Sequence, residues 1–98
     1  RKAGTDGRKT VAEDLSRVQR LRYRAWRRGM RECDLVLGPF ADTHLAGMGA
    51  SDLDAFEALL EAPDDLLWTW ILGSAEPDLQ YAGPMLDRVI AFGREDLS

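Results

Sequence analysis

From Thr10 almost to its end, the chain repeats apolar residues every three or four positions, and nowhere does it alternate apolar with polar side chains for long enough to make a strand. A chain patterned this way buries its hydrophobic surface as helices packed on helices. Val11, Leu15, Val18, Arg22 and Ala25, with Leu21 beside them, fall on one stripe and predict a first helix over about residues 12–28, the arginine stem lying along its apolar edge. Met30, Cys33, Leu37 and Phe40, with Val36 alongside, predict a second from just after Gly29 to about residue 45. Pro39 lies inside that helix, where its missing N–H and its ring should bend or end it. A loop with Gly47 and Gly49 follows, and Ser51 with Asp54 three places on is expected to open a third helix carrying Leu53, Phe56, Leu59 and Leu60 inward. Pro63 ends it. Asp64 or Asp65 is expected to cap a fourth, whose buried side is Leu66, Leu67, Trp70 and Ile71 and which Gly73 closes. After a loop over residues 74–83, Pro84 suits the first position of a fifth helix with Met85, Leu86, Val89, Ile90 and Phe92 on its core face. The expected fold class is all-α, a single compact bundle of about five short helices over residues 12–94, with a disordered basic lead-in over residues 1–11 and a tail over residues 95–98.

At 98 residues there is room for one small core, which excludes a two-domain enzyme. No apolar run approaches the roughly 18 residues needed to span a bilayer, so direct membrane insertion is not expected. Cys33 is the only cysteine and His44 the only histidine, so an internal disulfide, structural zinc and a Cys/His nucleophile pair are all excluded. The thiol fits the apolar stripe of the second helix as a small core residue, in keeping with a reducing compartment. The acidic pairs Asp52/Asp54 and Asp64/Asp65 fall at helix starts, where capping accounts for them without catalysis. Gly47 and Gly49 lack the lysine and the preceding strand of a phosphate loop. No catalytic residue, cofactor site or metal site is expected.

Charge is distributed unevenly. Residues 1–31 hold eleven Lys/Arg against three Asp/Glu, a balance of +8, while residues 32–98 hold two against fourteen, a balance of −12. Such a basic end is either a solvated helix rich in arginine, an arm for nucleic acid, or a surface that steers toward an acidic partner. In the nucleic-acid alternative, Arg17, Arg20, Arg24, Arg27, Arg28 and Arg31 would meet phosphates, against the repulsion of the acidic remainder. The first ten residues are only faintly like a transit peptide, since they carry Asp6 and no amphipathic stripe. A bacterial cytoplasmic setting is therefore expected, with the mitochondrial matrix as the alternative.

The junction Arg27-Arg28-Gly29-Met30-Arg31-Glu32 stands out, because a glycine between helices beside a dense arginine cluster needs a reason. Two remain open. Gly29 turns the chain, with Arg28 and Glu32 forming a solvated i,i+4 pair. Alternatively it leaves bare backbone for another molecule, with Arg28 and Glu32 offering a donor fork and an acceptor on either side.

The run from Tyr23 to Asp34, followed by Leu37, Phe40, Leu59-Leu60-Glu61, Asp64 and Trp70, resembles the SdhE family over roughly residues 15–93. These are small proteins with an RGxxE motif that help assemble the flavoprotein subunit of succinate dehydrogenase. The resemblance implies a five-helix bundle that is not an enzyme and binds no cofactor itself. It implies an assembly factor that binds the FAD-loaded flavoprotein subunit and favours covalent attachment of the flavin to a histidine of that subunit, with the related subunit of fumarate reductase a possible second client. Carried over by position, the motif is Arg28, Gly29 and Glu32, with Met30, Arg31 and Asp34 matching flanking partner-binding positions. Cys33 stands where other members often have an aliphatic residue. A monomer in the free state and no nucleic-acid partner complete the expectation.

Overall fold

Helix boundaries in the computed structural model, which describes residues 16–97, follow local chemistry more often than not. Helix α1 occupies residues 16–26, α2 Arg31–His44, α3 Ala50–Leu59, α4 Asp64–Leu72 and α5 Pro84–Leu97, with a short 3-10 turn at Leu45–Gly47. Among the described residues there are five helices and no strand, the expected all-α class. The lead-in over residues 1–11 and the stripe positions Val11 and Leu15 lie outside the described residues. Pro84 is the first residue of α5, and Gly73 closes α4 in the left-handed conformation (φ 79°) that glycine adopts without penalty.

The core forms where the stripes converge. Val18, Leu21 and Ala25 of α1 are buried, as are Cys33, Val36, Leu37 and Phe40 of α2 and Leu53, Phe56 and Leu59 of α3. Leu67, Trp70 and Ile71 of α4 and Met85, Leu86 and Val89 of α5 complete it, and no charged or polar residue among those described is buried. Helix α5 packs against α2, α3 and α4. Phe40 sits among aromatic rings, stacked 5.7 Å from Phe56 and edge-on 5.5 Å from Phe92, the offset and T-shaped arrangements that ring quadrupoles favour.

Five local expectations are corrected. Helix α1 stops at residue 26, leaving Arg27 and Arg28 outside it. Arg22 does not lie along the apolar edge but is exposed and pairs with Asp42 at 2.9 Å. Gly49, not Ser51, is the N-cap of α3, and Ser51 lies within the helix. Leu66 is 39% exposed, because only Leu67, Trp70 and Ile71 face inward. Finally, α2 runs through Pro39 to His44. The carbonyl left without an amide there is that of Leu35, on a half-exposed position where water can replace the lost bond.

Helices α1 and α2 approach closely through a feature that apolar spacing does not register. Gly38 is buried in α2, and a Cβ at that position would overlap the ring of Trp26. The absent side chain is the slot that takes the indole. Trp26 then donates through Nε1 to the Asp42 carboxylate at 3.2 Å, the same group that accepts from Arg22. The end of α1 is thereby fixed against α2, and the segment that leaves it is aimed at the start of α4.

Candidate functional site

Between residues 26 and 31 the chain must leave one helix and enter another, and the backbone amides of that passage have no helical partner. Two carboxylates supply what is missing. Asp34 accepts from the Arg28 amide at 2.6 Å, and Asp64, at the start of α4, accepts from the amides of Gly29 at 2.6 Å and Met30 at 3.1 Å through Oδ2. The other oxygen of Asp64 accepts from Nε of Arg28 at 2.6 Å. The two terminal nitrogens of Arg28 donate to the carbonyls of Leu60 and Ala62, where α3 ends and its last carbonyls lack amide donors. One guanidinium and one carboxylate therefore join the end of α1, the end of α3, and the starts of α2 and α4. The Cys33 thiol adds a contact to the Asp64 carbonyl at 3.4 Å.

This geometry separates residues that the sequence groups together. Arg28 makes no i,i+4 pair with Glu32. Its side chain is only 9% exposed, and three of its five N–H donors are engaged within the chain. It does not stand out as a free fork. Gly29, Arg31 and Glu32 are exposed, while Met30 and Asp34 are half-buried, Met30 against the core and Asp34 on the Arg28 amide. The corner is thus roofed on one side by Arg28 and Asp64 and open on the other at Gly29 and Glu32. Gly29 needs no left-handed backbone; its constraint is proximity, since an added Cβ would come 3.2 Å from Asp64 Oδ2.

Of the two aspartates expected to cap α4, Asp64 has a different role. It begins α4 behind Pro63, which is the N-cap, and its carboxylate turns away from its own helix. Asp65 makes the local contact instead, accepting from the Leu66 amide at 3.0 Å. Beside the corner, Tyr23, Arg24, Arg27, Gly29, Ala62 and Pro63 line an open cleft. Tyr23, on the rim of this cleft, is 62% exposed.

Cys33 is buried, and desolvation, reinforced by the negative charge of Asp64, pushes its thiol up from 9.0 to about 11. It is an inert core group at neutral pH, as its stripe position predicts. His44 packs its ring 4.8 Å from Phe40 and 5.7 Å from Phe92. Among the described residues no group of three or more His, Cys, Asp or Glu side chains could hold a metal ion.

Residues 19–92 match the model of a protein family described as flavinator of succinate dehydrogenase. The chain is 37% identical over 86 residues to a protein of Acetobacter pasteurianus named FAD assembly factor SdhE, covering 86% of this chain and 79% of that one. A protein of the same name from Aliivibrio fischeri is 35% identical over 79 residues, 81% of this chain and 87% of its own. The mitochondrial succinate dehydrogenase assembly factor 2 of Dictyostelium discoideum is 32% identical over 83 residues, 81% of this chain and 59% of its own.

Proposed function

Because this chain belongs to the family of flavinators of succinate dehydrogenase, we propose that it acts as an assembly factor: it docks on the flavoprotein subunit of that enzyme and promotes covalent attachment of FAD there. The observation that carries this most directly is the corner between α1 and α2, where bare backbone at Gly29 and the Glu32 carboxylate lie exposed on a frame that Arg28 and Asp64 hold from behind. Of the expected contact residues, Gly29, Arg31 and Glu32 meet the partner, whereas Arg28 and Asp34 set the shape of the surface and Met30 anchors it to the core.

Attachment requires the acceptor histidine of the subunit close to the flavin, with charge developing on the ring stabilised by the subunit's own donors. A helper accelerates this only by binding the reactive arrangement more tightly than the others. A preference of about 1.4 kcal/mol shifts that ratio tenfold, a scale that a few contacts over one rigid corner supply. On this reading the chain supplies neither cofactor nor catalytic group. No described helix is long and apolar enough to cross a membrane.

Co-expression with the flavoprotein subunit tests this by in-gel flavin fluorescence. Flavinylation rises when the chain is present, and Gly29→Leu loses co-purification with the subunit while keeping its helical circular dichroism. Equal fluorescence with and without the chain contradicts the function. Loss of helix content in Gly29→Leu shows instead that the glycine serves the fold.

A further inference from the structure

The arginines of the basic end are not equivalent. Arg17 bonds to Asp54 at 2.6 Å and Glu57 at 2.7 Å, Arg24 to Glu61 at 2.6 Å, Arg22 to Asp42 at 2.9 Å, and Arg28 to Asp64 at 2.6 Å. Four of the seven arginines in the described part of the first segment are therefore neutralised by the acidic helices of the same molecule. Arg20, Arg27 and Arg31 are different: all three are exposed and none makes an ion pair among the described residues. Arg20, Tyr23 and Arg27 are spaced at i, i+3 and i+7, one face of α1 continued past its end, and Arg31 opens α2 beyond the corner. Tyr23 holds the Arg27 guanidinium 4.9 Å above its ring, which keeps that charge outward and ordered.

We propose that Arg20, Tyr23, Arg27 and Arg31 form a narrow cationic strip that docks a short carboxylate-bearing segment of the flavoprotein subunit beside the Gly29 corner. This deepens the proposed function and rests on it. Charge complementarity identifies the occupant. The strip carries three guanidinium groups without an ion pair among the described residues and an exposed phenol ring, and it leads into the cleft lined by Tyr23, Arg27 and Gly29. It is flanked by the Arg22–Asp42 and Arg24–Glu61 ion pairs, with exposed Glu32 at its end. The flanking pairs add no net charge, so the cationic surface stays narrow and ends at a carboxylate, which suits a few acidic side chains better than a long polyanion such as a nucleic acid. Planar guanidinium forks engage carboxylates in pairs of parallel hydrogen bonds, and steering of this kind acts chiefly on the association rate.

The test is a stopped-flow or surface-binding series in which the wild-type chain and the triple variant Arg20→Gln/Arg27→Gln/Arg31→Gln associate with the purified flavoprotein subunit across a salt gradient, circular dichroism confirming that both are folded. Wild-type association slows steeply with salt. The variant associates about tenfold or more slowly at low ionic strength and converges on the wild type near 1 M, where the screening length falls to about 3 Å. Equal rates at every salt concentration, with Gly29→Leu still abolishing binding, overturn the strip and leave the assembly role standing. Absence of wild-type binding overturns both. Micromolar binding of random duplex DNA, lost in the triple variant, overturns the proposal by showing that the strip takes phosphates.

Discussion

Gly38 carries more structural consequence than its size suggests. A glycine inside a helix costs about 1 kcal/mol relative to alanine, so its presence in α2 signals a close approach that the apolar stripes do not reveal. The neighbour is Trp26. Gly38→Val therefore forces the indole out of its slot, and we expect a loss of about 1–3 kcal/mol in urea unfolding together with a red-shifted tryptophan emission. Cys33 makes a second prediction at this scale. Its folded pKa, pushed up to about 11, lies above the ordinary 9.0, so folding favours the neutral thiol. That contribution is fully present below about pH 9 and is lost as pH rises toward 11. The urea midpoint of the wild type should fall across that window more than that of Cys33→Ala, and iodoacetamide at pH 7.5 should label the thiol only in denaturant. Labelling of the folded chain would place Cys33 at the surface.

At the scale of elements, the Arg28–Asp64 clasp decides how α1, α2, α3 and α4 meet. The pair is largely shielded, at 9% and 18% exposure, and removing one partner leaves the other poorly solvated and several backbone groups unpaired. Asp64→Asn should cost about 2–3 kcal/mol, and a double-mutant cycle with Arg28→Met should show a coupling above about 1 kcal/mol. Additive effects would mean that the two side chains act independently. Helix number and most core residues were legible in the sequence because the stripe of a helix is a local property: Leu53, Phe56 and Leu59, or Met85, Leu86 and Val89, announce their buried face by spacing alone. The clasp was not. Asp64 lies 36 residues from Arg28, and an aspartate at a helix start is explained just as well by capping, so no local pattern distinguishes the two roles. The same limit applied to Arg28, whose motif position marks it as important without saying which way it points.

Across the described residues, part of the basic first segment closes onto part of the acidic remainder. Four arginines close onto Asp42, Asp54, Glu57, Glu61 and Asp64. Part of the asymmetry visible in the sequence is thus a record of helix packing, and the three arginines that make no ion pair among the described residues concentrate at one edge of the bundle. That edge adjoins the corner where Gly29 and Glu32 are open. High salt should consequently weaken partner association well before it weakens the fold, whose apolar core salt does not screen. Whether this corner faces the flavoprotein subunit, as proposed, is read out by hydrogen–deuterium exchange of the chain alone and in complex. Slower exchange confined to residues 20–35, and to the α3–α4 turn that Arg28 holds beneath them, is the predicted result. Protection centred on α5 and the loop over residues 74–83, with the corner exchanging as in the free chain, would contradict it.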